Sequence, residues 1–389
     1  MTVRESSMTR RAALRRALVL AFLPCTRLLP GAAARAEEKS MQAARPIVIA
    51  HRGASGYVPE HTLAAYFIAV QQGADFIEPD LVMTRDGVLV ARHENEIGET
   101  TDVAAHPEFA DRRSTRTVDG RPVTGWFTED FTLAELKTLR ARERIPSLRP
   151  GNTRFDGMFE IPCLEEILAL VRGLDAQRAA AAKAQGRPAP AAIGIYPETK
   201  HPSYFAARGL PMEAALVRTL QQWGYEGAQA PVFIQSFETG NLQALRGMTQ
   251  LRLIQLLDDS GSPYDLVLTG DPRSYRDLAT PAGLARIATY ANGIGPNKSM
   301  ILPRTSGNGL SPPTSLVGDA HARGLAVHPW TFRAENVFLP RPHATSGAAG
   351  DRGDLQAELR AFLEAGVDGF FSDHPDLGVQ ARDAFLRAR

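Results

Sequence analysis

With 389 residues, 44% of them apolar and 22% charged, the chain holds ample core-forming material, and nothing in its composition marks it as disordered or fibrous. The formal charge is +1, but seven arginines and one glutamate fall in residues 1–36, so residues 37–389 alone carry −5. A net negative body argues against nucleic acid or an anionic membrane as the main partner, and Cys163, the one cysteine after residue 36, leaves no internal disulfide and no Cys-built metal pattern.

Residues 1–36 pass from basic to apolar to alanine-rich and end Ala34-Arg35-Ala36, the plan of an export signal with cleavage after Ala36. Thr9-Arg10-Arg11 leaves the twin-arginine and ordinary secretory routes both open. Cys25 lacks the small residue that a lipoprotein signal wants before it, and no later stretch approaches the ~20 apolar residues of a membrane span. The expectation is a periplasmic or secreted protein with no stable membrane anchor.

Ile47 to Ala50 is an apolar run that stops at His51-Arg52-Gly53, as a strand feeding a tight loop would. A helix follows, capped by Thr62, with Leu63, Tyr66, Phe67 and Val70 at helical spacing and Gly73 to end it. The next strand-like run, Phe76 to Met83, puts Glu78 and Asp80 on one face, since residues two apart share a side. Two carboxylates held together this way are tolerable mainly around a cation, and oxygen-only ligands favour Mg²⁺ or Ca²⁺. Pro79 between them removes a ladder donor, a departure from strand chemistry that a place beside a barrel opening would tolerate. Asp86-Gly87 then predicts a type I′ hairpin whose returning arm brings His93 back opposite Glu78, to within one or two residues of register.

A polar segment at 95–160 does not read as a barrel unit; its one clear helix starts at the capping box Thr132-Leu133-Ala134-Glu135. It leaves directly after His93, so it is expected as an insertion at the barrel mouth. A helix from Leu164 to Arg172 follows, then an alanine-rich run, 179–192, expected as a helix end and flexible connector. Further apolar runs at 192–196, 232–235, 251–257, 291–294, 325–327 and 369–371 bring the strands to eight, with helices between several of them and long loops at 258–280, 303–313 and 341–353. That is the plan of an α/β protein with a (β/α)8 TIM barrel. His51, Glu78, Asp80, Glu198, Lys200, Gln235, Trp330 and Asp373 all fall at carboxyl ends of strands, where such barrels keep their chemistry.

The motifs HRGASGYVPEHT, GADFIEPDLVMTRDG, Tyr196-Pro197-Glu198-Thr199-Lys200, Gln235-Ser236-Phe237, His328-Pro329-Trp330-Thr331 and Phe371-Ser372-Asp373 resemble the glycerophosphodiester phosphodiesterase family, closest to its periplasmic branch, across residues 46–389. The resemblance implies metal-dependent hydrolysis of a small glycerophosphodiester to glycerol 3-phosphate and an alcohol. By the same resemblance Glu78, Asp80 and Glu198 would hold one divalent cation, Ca²⁺ or Mg²⁺; Arg52 and Lys200 would face the phosphate; His51 and His93 would exchange protons as general acid and base; and Trp330 would wall the alcohol. Glu94 stands where the family commonly has Asp. His201 and His328 are expected in supporting roles, and Glu60 is expected to bond the loop backbone after His51. Activity on a glycerol-phosphate polymer or a phospholipid, or a non-catalytic binding protein on the same fold, are the competing readings; no apolar helix at the site's mouth is evident to favour intact lipid.

Overall fold

The structure, a computed structural model, describes residues 45–389. The expected export signal, residues 1–36, lies outside the described residues. Eight parallel strands form the wall: Ile47–His51; Phe76–Glu78 continued by Asp80–Met83; Gly194–Ile195 continued by Glu198–Thr199; Phe233–Ser236; Arg252–Leu257; Gly293–Pro296; Ala326–Val327; and Gly369–Ser372. The second and third strands are each interrupted at their Pro, so the pairing falls into two arcs. The arcs join through the main chain, because Tyr196 N–H donates to Ile77 O (2.9 Å), Glu198 N–H to Pro79 O (3.0 Å) and Lys200 N–H to Leu81 O (3.0 Å). At the other seam Asp368 N–H donates to Val327 O and Phe371 N–H to Pro329 O, both at 3.0 Å, so the seventh strand meets the eighth. The eighth pairs with the first, Phe371 beside Ile49, and the ring is complete.

Period two along these strands sorts the interior into layers. Ile49, Phe76, Tyr196, Phe233, Ile254 and Phe371 pack together as one apolar plug inside the wall. Gly194 makes room for it: a Cβ there would lie 2.1 Å from the Phe76 ring. Two residues further along the same strands come His51, Glu78, Glu198, Gln235, Leu256 and Asp373, and two further again Asp80 and Lys200. The polar layer therefore sits on an apolar floor.

Helices cover the outside. Leu63–Gln71 begins at Thr62, whose side chain accepts from Ala65 N–H, and ends before Gly73. The helix expected at Leu164–Arg172 runs on to Ala184, so the first part of the alanine-rich run is the expected helix end, as alanine's high helix propensity favours. In the helix Leu355–Glu364 the buried positions Leu355, Glu358, Leu359, Phe362 and Leu363 recur at helical spacing, and buried Glu358 is matched by Lys298 at 2.8 Å. The loop expected at 258–280 contains two short helices, Tyr264–Thr269 and Tyr275–Leu278.

The hairpin after the second strand forms, with Leu89–Ala91 antiparallel to Asp80–Met83, but its turn is not type I′. Only Gly87 has positive φ; Gly87 N–H donates to Thr84 O and Thr84 N–H to Val88 O, a three-residue loop with a bulge. Asp86 instead accepts from Leu133 N–H (3.0 Å) and Thr84 Oγ1 (2.6 Å), so a contact with the 95–160 segment fixes its backbone. The register is accordingly one residue from that expected, with Leu81 opposite Ala91, which brings His93 abreast of Pro79 rather than Glu78.

Residues 95–160 carry a second hairpin, Ser114–Val118 with Arg121–Gly125, and the helix Leu133–Leu136 behind the expected Thr132/Glu135 capping box. The hairpin tip returns to the barrel, where His201 Nδ1 donates to Asp119 Oδ2 at 2.6 Å.

Candidate active site

The first strand ends in a loop that must turn at once, and two of its residues adopt left-handed backbone: Arg52 (φ 59°) and His61 (φ 53°). Gly53 (φ 84°) permits the closure, since a Cβ there would sit 2.7 Å from the Ala65 backbone. In this posture Arg52 N–H donates to Glu78 Oε2 (2.7 Å), while its guanidinium reaches Glu60 Oε2 (3.0 Å) and lies 3.3 Å from Asp80 Oδ2. The loop thus aims one arginine at both carboxylates.

Glu78, Asp80 and Glu198 each offer an oxygen within 4.8 Å of the other two, and all three are buried. The pairing dictates this: His51 is in register with Glu78, Asp80 with Glu198, and Glu198 with Gln235. Burial and mutual repulsion push Glu78 and Glu198 well above the usual carboxylate range. For Asp80 burial works the same way but is outweighed by Lys200 and by its bond from His61, which hold it low. Lys200 Nζ donates to Glu198 Oε1 (2.7 Å) and lies 3.8 Å from Asp80 Oδ1. Asp80 Oδ1 and Gln235 Oε1 are nevertheless buried with no hydrogen-bond donor. Three clustered carboxylates, one with an orphaned oxygen, and an adjacent orphaned amide oxygen fit a hard divalent cation, for which oxygen is the proper donor.

Each imidazole is backed by a carboxylate. His51 Nδ1–H donates to Asp373 Oδ1 (2.6 Å), and His93 Nδ1–H to Glu94 Oε1 (2.5 Å). Burial works to raise Asp373 but is overridden by Arg333, Arg149 and His51, which hold it ionised; Glu94 is held low in the same way by His93 and Arg144. Ionised partners fix the proton on Nδ1 of both rings and leave both Nε2 lone pairs free. Burial, and then Arg52, lower His51 to about 4 against the pull of Asp373. His93, a third of its side chain exposed, is lowered by partial burial and by Arg52 and Lys200. Both are neutral near pH 7.

One cavity of about 780 Å³ is lined by His51, Arg52, Glu78, His93, Glu198, Lys200 and Trp330, with Asp80 just behind its wall. The structure therefore gathers every residue expected at the site. Trp330 is half-buried, donates Nε1–H to Gly295 O (2.7 Å) and meets Phe237 edge to face. Beyond it the cavity continues past Val118, Val123, Tyr264 and Val267. Val267 and Leu268 are largely exposed on the short helix Tyr264–Thr269, and Val267 reaches the cavity lining. Glu60 also differs: it binds the guanidinium groups of Arg52 and Arg144 rather than loop backbone, because two cations within reach outcompete an amide. His201 lines the cavity and bonds Asp119, and His328 bonds the Tyr196 hydroxyl below it.

Sequence reasoning assigned no role to His61, which donates Nε2–H to Asp80 Oδ2 (2.9 Å) while its Nδ1 accepts from Tyr66. Its place one residue before a helix cap was the available signal. Arg144, Arg149 and Arg333 were also missed.

Positive charge for a phosphate, oxygens suited to a divalent ion and two free imidazole nitrogens belong together in enzymes that cleave phosphate esters. Residues 51–377 match the model of the glycerophosphoryl diester phosphodiesterase family. The chain is 39% identical to the glycerophosphodiester phosphodiesterase GDPD6 of Arabidopsis thaliana, over 89% of this chain and 88% of that one, and 30% identical to that of Haemophilus influenzae, over 86% and 89%. Among solved structures it is similar to an Oleispira antarctica phosphodiesterase in complex with the product sn-glycerol-3-phosphate (TM-score 0.56, 20% identity, 89% of this chain and 99% of that one). A glycerophosphodiester phosphodiesterase of Agrobacterium tumefaciens is also similar (TM-score 0.52, 20% identity, 86% of this chain and 99% of that one). The chain belongs to the glycerophosphoryl diester phosphodiesterase family.

Proposed function

We propose that the protein hydrolyses glycerophosphodiesters to glycerol 3-phosphate and an alcohol with the help of one divalent cation, Mg²⁺ or Ca²⁺, and of His51 and His93 as proton carriers. The observation that carries this reading is the meeting of Glu78, Asp80 and Glu198 within 4.8 Å of one another at the wall of the cavity that His51 and His93 line. When bound, the cation screens the phosphate's charge and polarises a phosphoryl oxygen. Arg52 and Lys200 place fixed positive charge against the remaining phosphate oxygens, where negative charge builds in the transition state. One imidazole accepts a proton at Nε2 from the attacking oxygen, and the other delivers one to the departing alcohol. Trp330 offers a flat wall for the alcohol.

Residues 95–160 act as an insertion that roofs the cavity on the His93 side. Residues 1–36 serve as a removable export signal, so the enzyme works in the periplasm or outside the cell on a small soluble substrate. Among the described residues no helix is long and apolar enough to cross a membrane.

The test is a coupled glycerol 3-phosphate assay on glycerophosphocholine and glycerophosphoethanolamine, with and without chelator, for the wild type and His51→Ala. Activity should vanish with chelator and return with Mg²⁺ or Ca²⁺, and His51→Ala should lose about 10²–10⁴-fold in kcat. Chelator-resistant turnover would reject the metal role.

A further inference from the structure

We infer that one short segment of the insertion, residues 143–152, aligns both proton carriers at once, and that Arg144 and Arg149 are positioning residues for the two histidines. The inference rests on the proposed proton-carrying role of His51 and His93.

The geometry has two arms. In the first, Arg149 Nη2 donates to Asp373 Oδ2 (2.6 Å), and the other oxygen of that carboxylate accepts from His51. Arg149 also donates from Nε to Glu335 (2.6 Å) and from Nη1 to Ser55 O (2.9 Å), so it grips the loop that follows His51 as well as the histidine's partner. Ser55 Oγ in turn donates to His51 O at 2.8 Å. In the second arm Arg144 forks onto both oxygens of Glu94 (3.0 and 2.7 Å), the carboxylate that accepts from His93. Its remaining donors hold Glu60 (2.9 and 2.6 Å), which holds Arg52. Within the segment, Asn152 donates to Glu143 (2.8 Å) and Glu143 accepts from Ile145 N–H (3.0 Å), which stiffens the stretch bearing both arginines.

A carboxylate alone can swing about its own torsions, and an imidazole bonded to it swings too. A planar guanidinium that occupies two or three fixed acceptors removes that freedom. Proton transfer requires the ring nitrogen to lie within hydrogen-bond reach of one substrate oxygen, so losing the brace costs turnover more than binding. Arg333 shares Asp373 Oδ2 at 2.9 Å, and the first arm should therefore fail less completely than the second.

The test uses the full chain and two substrates, glycerophosphocholine and the glycerophosphodiester of 4-nitrophenol. A phenolate leaves without a proton, so only the arm serving the general acid becomes dispensable on the second substrate. On glycerophosphocholine, Arg149→Ala and Arg144→Ala should each lower kcat about 10–100-fold, with KM moving less than about threefold for Arg149→Ala. On the nitrophenyl substrate one of the two should recover and the other should not. Asp373→Asn and Glu94→Gln break the same arms from the barrel side and should repeat the pattern arm by arm, which keeps the test decisive if an arginine variant folds poorly. Arg154→Ala removes an exposed positive charge just beyond that stretch and should change nothing. Recovery of both arms, recovery of neither in folded protein, or unaltered kcat in the arginine variants would overturn the inference. His51→Ala and His93→Ala run alongside: if they too keep full activity, it is the proton-carrying role that fails rather than the brace alone.

Discussion

The apolar plug and the polar layer above it are built by the same strands two residues apart, yet they answer to opposite demands. In the lower layer Phe76, Tyr196 and Phe233 pack against one another with ring centres 5.1 to 6.0 Å apart, an arrangement that stabilises the fold and holds nothing reactive. In the upper layer Glu78, Asp80 and Glu198 crowd like charges into a buried space, which costs stability, and Arg52 and His61 add left-handed backbone. One residue step along a strand would send both layers to the outside, so the wall's register fixes stability and chemistry together.

The largest effect that would sharpen the contrast is on stability. Phe76→Ala should lower the unfolding free energy by about 3–5 kcal/mol, measured by denaturant titration, while activity per folded molecule falls far less. Its neighbour on the same face should behave the other way. Glu78→Gln should cut kcat/KM at least about 100-fold, about 2.8 kcal/mol, yet leave the melting temperature in chelator unchanged or higher, because an amide removes a charge that its surroundings repel. A Glu78→Gln protein that melted well below the parent would break the comparison.

The smallest expected effect is on pH dependence. Burial holds His328 near 4 in the folded protein, against 6.5 for a free imidazole. Above pH 6.5 neither state binds the proton. Below it the unfolded chain takes up a proton that the native one refuses, so stability falls as pH drops and levels off below about 4. His328→Gln should therefore flatten the stability profile by about 2 kcal/mol between pH 6.5 and 5, as read by denaturant titrations at each pH.

What the sequence made legible follows from range. The strands, the Thr62-capped helix and the alternation of Glu78 with Asp80 are set by neighbours a few residues away, and they stand where the pattern put them. Glu198 was found through its motif, and its pairing with Asp80 brings it to the cluster. The turn at Asp86 was misjudged because its carboxylate serves Leu133, 47 residues on. Arg144 and Arg149 were invisible for the same reason: each lies in an arginine-rich polar stretch, and their partners Glu60 and Asp373 are 84 and 224 residues distant. Nothing local distinguishes them from solvated surface.

Pro79 has a consequence for what this molecule can tolerate. Having no N–H, it gives the ladder only its carbonyl, and that oxygen receives Glu198 N–H, flanked by the bonds from Tyr196 to Ile77 and from Lys200 to Leu81. The spacing between carboxylates from two distant parts of the chain is thus written in main chain rather than in side chains. Side-chain exchange can weaken the carboxylate cluster by degrees, but inserting or deleting one residue within 77–81 or 196–200 would dismantle it outright, while the exposed turn at Gly186 lies far from that ladder and has no such spacing to upset.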